Sequence, residues 1–181
     1  MILDGYLSFT NSAANGGDLP TTGTQTATNI LDLGIGANAT TGGLPLSGSG
    51  GGARDIGIGD SPALKLLVQV ITLFSGGTNL YVTLSGAPDS GTGTQGSYTT
   101  MYTGPTVTEA NLIVGARLAD VDVPRPAPGQ ALPRYLRLQY VTSGAHTAGA
   151  VFGAIVLDRH DLPEQANATL GGYPAGVVVA N

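Results

Sequence analysis

LKLLVQVITLF, Leu64 to Phe74, decides the fold, because a helix and a strand would send the rest of the chain to different architectures. The run is rich in Val, Ile and Leu and only weakly periodic at 3.6 residues, which favours a buried strand. What precedes it, GGGARDIGIGD (Gly50 to Asp60), would cradle a phosphate only if it opened a helix, with a Lys and a Ser or Thr directly after the glycines. Ser61 and Pro62 follow instead, and then the apolar run. The glycine stretch therefore reads as a turn leading into a strand.

The same alternation marks other strands. TQTATNILDLG (Thr24 to Gly34) is one, closed by its glycine. In TNLYVTLSG (Thr78 to Gly86), Leu80, Val82 and Leu84 take one face and Tyr81, Thr83 and Ser85 the other. With the Gly76-Gly77 turn before it, this strand is predicted to form an antiparallel hairpin with Leu64 to Phe74. SYTTMYTG (Ser97 to Gly104) is a short strand. Leu112 to Val123 is ambiguous: its first half suits a helical turn after Thr108-Glu109, whereas Ala119, Val121 and Val123 alternate with Asp120 and Asp122 and favour a strand. RYLRLQYV (Arg134 to Val141) sets Leu136, Leu138 and Tyr140 against Arg137 and Gln139. AGAVFGAIVLD (Ala148 to Asp158) is apolar on both faces and so must be central and buried.

Seven or eight short strands with hardly any helix predict an all-β antiparallel fold, a sandwich, barrel or jelly roll. At 181 residues the expectation is one domain, 1–181, with an N-terminal arm (1–20), a Gly-rich loop (34–52) and a C-terminal extension (159–181). So long a loop inside a compact domain predicts a contact function or a wrap around a neighbour.

Composition narrows the function. Only 10% of residues are charged, against roughly 25% in an average soluble domain, so much of the surface is expected to be covered by other protein. A net charge of −5, a single lysine (Lys65) and six scattered arginines argue against nucleic acid as a partner. There is no cysteine, hence no thiolate chemistry. The first residues lack a basic n-region and carry Asp4, and no apolar run approaches the roughly 18 to 20 residues of a membrane span, so synthesis in the cytoplasm without membrane insertion is expected.

The candidates for chemistry are thin. His146 and His160 are the only histidines, too few for a three-imidazole metal site, which leaves a cupin-like metalloenzyme the weakest reading. DRHD (Asp158 to Asp161) reads as a solvated strand exit, and Asp120 with Asp122 as the wet face of a strand. The G-x-S-x-G elbow and H-E-x-x-H motif are absent. No catalytic, cofactor or metal residue is predicted; the protein is expected not to be an enzyme. Tyrosines such as Tyr81, Tyr98 and Tyr102 fill half-buried faces or, alternatively, stack on a glycan.

Taken in order, MILDGYLSF, TATNILDLG, ARDIGIGDSPALKLLVQVITLF, RYLRLQYVTSG and AGAVFGAIVLD resemble the jelly-roll capsid cement, or decoration, proteins of short-tailed bacteriophages. The resemblance covers most of the chain, and the insert LPLSGSGGG (Leu44 to Gly52) departs from it. It implies a homotrimer on the outside of the virion head that bridges neighbouring major capsid proteins and stabilises the shell without a cofactor. Arg54-Asp55-Ile56-Gly57 resembles the family's turn into a strand. The apolar chain ends and the insert supply the candidate subunit and capsid contacts: Met1, Ile2, Leu3, Tyr6, Phe9, Leu44, Leu46, Tyr173, Val177, Val178 and Val179. A jelly-roll glycan-binding module on a virion surface is the alternative.

Overall fold

The computed structural model describes residues 2–10, 17–33, 64–90, 93–126, 128–130 and 133–157, with backbone alone for 2–6 and 157. Among these, nine strands form: β1 (Ile2–Ser8), β2 (Gly23–Asp32), β3 (Leu64–Gly76), β4 (Asn79–Ala87), β5 (Thr99–Thr103), β6 (Val107–Thr108), β7 (Arg117–Asp122), β8 (Tyr135–Ser143) and β9 (His146–Leu157). One 3-10 turn, Glu109–Asn111, precedes β7, so the ambiguous stretch holds a helical turn just ahead of its strand.

All pairing is antiparallel. One sheet runs β1-β9-β3-β7 and the other β2-β8-β4-β5, with β6 also on β4. The chain changes sheet at nearly every connection, staying within one only from β4 to β6. A sandwich whose first and last strands pair and whose consecutive strands lie in opposite sheets is a jelly roll.

The predicted hairpin of β3 with β4 does not form. β3 pairs with β9 and β7, and β4 with β8, β5 and β6. Gly76 and Gly77, both at φ +72°, turn the chain from one sheet onto the other, a conformation that side chains resist. Gly144 (φ +78°) makes the same crossing from β8 to β9. The two corners nest: a Cβ on Gly144 would lie 2.9 Å from the Gly77 Cα. His146 is buried against Gly77, edge-on to the Phe74 ring at 5.0 Å, with Nε2 3.3 Å from the Asn79 carbonyl. It is a packing histidine.

The alternation read from the sequence becomes the core. Leu66, Val68, Val70 and Phe74 of β3 and Val151 and Ile155 of β9 face Leu80, Val82 and Leu84 of β4 and Leu136, Leu138 and Tyr140 of β8. β9 lies between β1 and β3, and its other face joins a second cluster, Leu67, Ala154 and Val156 with Phe152 packed on it. That is the double-sided burial that an apolar run on both faces requires.

In the region expected as an N-terminal arm, Ile2–Ser8 is a strand hydrogen-bonded to β9, and Asp18 bridges to Val151. Asp18 also accepts hydrogen bonds from the Thr28 amide (3.1 Å) and the Tyr140 hydroxyl (3.1 Å), tying that segment to the second sheet.

Candidate functional site

Three surface features stand out. The first covers the outer face of the β2-β8-β4-β5 sheet. Register pairs Arg137 with Ser85 and Tyr135 with Ala87 there, and the β4–β5 connection folds back over them. Tyr98 of that connection lies under the Arg137 guanidinium, 3.8 Å from its ring centre, and donates to the Gln95 side chain at 3.0 Å. Arg134, at the start of β8, forks onto Asp32 of β2 (Nε to Oδ1 2.8 Å, Nη2 to Oδ2 3.1 Å) and also binds Asp89 in the folded-back connection. The hydrogen bonds that Arg134 donates to Asp32 hold its guanidinium well above its ordinary pKa, against the opposing effect of burial. Burial raises the Tyr135 and Tyr98 phenols as well. This cluster is a clamp joining three segments: Asp32 and Asp89 meet the Arg134 charge, while the buried Arg137 Nε and Tyr135 hydroxyl make no hydrogen bond among the described residues.

The second feature is an apolar tip. Hydrogen bonds from Phe74 N–H to the Leu112 carbonyl (3.3 Å) and from Gly115 N–H to the Val70 carbonyl (2.8 Å) hold the 112–115 turn against the end of β3. There Leu73, Ile113 and Val114 are 56%, 55% and 63% exposed. Leu112, one residue earlier, is fully buried and anchors the turn. Exposed large apolar side chains held at one turn tip are the kind of feature from which interaction surfaces are built.

The third is a cavity of about 410 Å³ between the ends of β4 and β5 and the β7–β8 connection. Thr99, Met101 and Gly86 form one wall, and Pro126, Gln130 and Pro133 the other. Gly86 is required: a Cβ would sit 2.7 Å from both Met101 Sδ and Pro133 Cβ.

Of the predicted contact residues, Ile2, Leu3 and Tyr6 lie on β1, at an edge of its sheet. Phe9 is fully buried in the main core, beneath a backbone bond from its own N–H to the Gly153 carbonyl at 2.8 Å, so its ring serves this chain and is withdrawn from the contact set. Met1, Leu44, Leu46, Tyr173, Val177, Val178 and Val179 lie outside the described residues, as do the Gly50 to Asp60 turn, the loop 34–52, DRHD and the extension 159–181. Asp120 and Asp122 are exposed on β7, where Asp120 pairs with Arg117 and, at 3.9 Å, with Lys65.

The three tyrosines named for glycan stacking do not share a platform. Tyr102 pairs with inward-facing Leu84 and packs on the core, Tyr98 has a face covered by Arg137, and Tyr81 stands opposite Val141. Among the described residues no group of three or more His, Asp or Glu stands close enough to hold a metal. The arrangement can bind by shape and apolar contact.

Leu73, Ile113 and Val114 were not among the expected contacts. Their signal was NLIVG: an apolar run that ends on a glycine (Gly115, φ +89°), and so sits at a turn instead of within a strand. No curated protein matches the chain. A family model described as Bbp16 matches residues 16–156, which takes in β2 through nearly all of β9, and the chain belongs to the Bbp16 family.

Proposed function

We propose that the protein is a phage capsid cement protein, a self-associating jelly roll that binds the outside of the head and bridges neighbouring major capsid proteins. The observation that carries this reading is the tip: Leu73, Ile113 and Val114 exposed together on a rigid sandwich. Each side chain is a little over half exposed, so a partner surface that covered it would recover about half of the roughly 1.5–3 kcal/mol of full burial, on the order of 1–1.5 kcal/mol each. The resemblance of the sequence blocks to cement proteins and membership of the Bbp16 family agree with a structural role on a virion. A trimer would engage several capsid sites together, so each contact can be modest and the sum tight.

The test is head binding. Wild-type protein is added to heads assembled without it and retention is measured by sedimentation. Stoichiometric retention is expected. Leu73→Ser, Ile113→Ser and Val114→Ser combined should lower affinity at least about a hundredfold while leaving the urea midpoint unchanged. Absence of the protein from purified virions, or equal retention of the triple variant, overturns the reading.

A further inference from the structure

We propose that the outer edge of β5 and the cavity beside it form one acceptor site, which takes an extended, uncharged segment of the major capsid protein and seats one of its apolar side chains. The inference deepens the cement reading and rests on it.

The four sheet edges differ in how they are protected. Edge strands normally carry charge, proline, a bulge or a cover, because unpaired backbone groups recruit other chains. β7 carries Arg117, Asp120 and Asp122. β2 is interrupted between Thr26 and Ile30, and there the Asn29 N–H donates to the Phe9 carbonyl and Thr28 binds Asp18. β1 has Asp4 and an irregularity between Leu3 and Ser8. β5 reads TTMYT; its pairing with β4 also slips, between Thr100 and Tyr102, but it carries no charge or proline, and among the described residues it pairs only with β4. A five-residue edge so composed is open to strand addition.

The cavity supplies what strand addition needs for selectivity. In that mode main-chain hydrogen bonds give affinity, and a pocket for an alternate side chain gives specificity. Thr99, Thr100 and Met101, three of the five residues of β5, line the cavity, so edge and pocket are continuous. Met101 falls where the register with β4 slips, between the pairs Ser85–Thr100 and Leu84–Tyr102, and its thioether, packed on the core and against Gly86, gives the cavity an apolar wall. About 410 Å³ lies within the range of roughly 300–1,000 Å³ typical of ligand pockets. The described lining is mostly uncharged, with Gly86, Ala87, Met101, Pro126 and Pro133 among it and no carboxylate, so a neutral apolar side chain suits it.

A second copy of β5 fits less well. Its Met101 and Tyr102 are already packed on the core of their own chain, which leaves threonines to fill the cavity.

Two variants and one control test this on heads assembled without the protein. Thr100→Lys with Thr103→Lys charges the edge; Thr99→Tyr fills the cavity; Thr26→Lys charges the β2 edge as control. The edge and cavity variants should each bind heads at least about tenfold more weakly, with oligomer mass and urea midpoint unchanged, and the control should bind like wild type. Amide exchange at 99–103 should slow on heads. If both variants bind normally while the tip variant does not, this assignment is wrong and the cement reading stands. If wild type itself fails to bind heads, both fall. If the variants lose oligomer mass instead of head binding, the edge joins copies of this chain and the proposed occupant is wrong.

Discussion

Replacing Arg134 by Met tests whether the clamp over the second sheet holds the fold together. The side chain is 4% exposed and serves two carboxylates of unequal burial, Asp89 at 13% and Asp32 at 42%. Breaking a buried pair and stranding its partner costs about 3–5 kcal/mol, whereas an exposed pair is worth about 0–1 kcal/mol. Asp32 can rehydrate where it stands. Asp89 cannot do so fully, though it keeps the Gly93 amide at 3.2 Å. Arg134→Met should therefore cost about 3 kcal/mol, Asp89→Asn about 2 kcal/mol, and Asp32→Asn under about 1 kcal/mol. For a domain of this length 3 kcal/mol lowers Tm by about 6–12 °C. Equilibrium urea unfolding of the three variants measures the order, and the Arg134→Met effect should persist in high salt because the guanidinium is shielded from counterions. The reasoning is refuted if Arg134→Met stays within about 0.5 kcal/mol of wild type, or if Asp32→Asn proves costlier than Asp89→Asn.

Tyr140→Phe removes the 3.1 Å hydrogen bond to Asp18 and should cost about 1–2 kcal/mol near neutral pH by urea unfolding. Burial, with Asp18 adding to it, holds the Tyr140 phenol well above 10.0, so it ionises later in the folded chain than in the unfolded one. Stability present below that ordinary value is then lost as pH rises toward the folded one, and Tyr140→Phe should lose less between pH 8 and about 11 than wild type does. Gly149→Ala should cost about 3 kcal/mol, read as a lowered urea midpoint, since φ is +131° and the new Cβ would meet the Phe74 ring at 2.5 Å. Phe9→Ala should cost about 3–5 kcal/mol with oligomer mass unchanged, since the ring fills this chain's core; a loss of mass without a loss of stability would return it to an interface.

Strand positions were legible wherever one face is buried and the other wet, because a period of two then survives in the side chains. Leu80, Val82 and Leu84 on β4 and Leu136, Leu138 and Tyr140 on β8 are such cases, and all six are in the core. β1 was read as an arm because its period breaks: Leu3 pairs with Val156 and Ser8 with Ala154, five residues against two, so no alternation runs through the strand. The hairpin failed for another reason. Alternation tells which face of a strand meets the core but not from which side, so two strands facing each other across the core look like neighbours in one sheet. Gly76-Gly77 reads the same whether it closes a hairpin or turns a corner. Contacts were expected at the chain ends because apolar residues there cannot be assigned to a core; the exposed tip went unread because it is interior in sequence and made of residue types that usually signal burial.

That corner has a mechanical meaning under the proposed function. The apolar tip sits at the end of β3, with Leu73 three residues before Gly76, and the open edge of β5 is hydrogen-bonded to β4, which begins at Asn79. If the tip and the edge hold different capsid subunits, tension between them passes through the covalent link from Gly76 to Asn79, instead of peeling one hydrogen-bonded strand from the next. The link cannot easily straighten, because Gly144 is nested on Gly77 and the His146 ring is wedged beside it against Phe74. β3 and β4 are each backed by a long ladder, to β9 and to β8, whose bonds lie across the strands and share a load along them. A hairpin at the same place would have put both surfaces on one sheet and left the second sheet outside the path; the jelly-roll crossing draws both sheets into it.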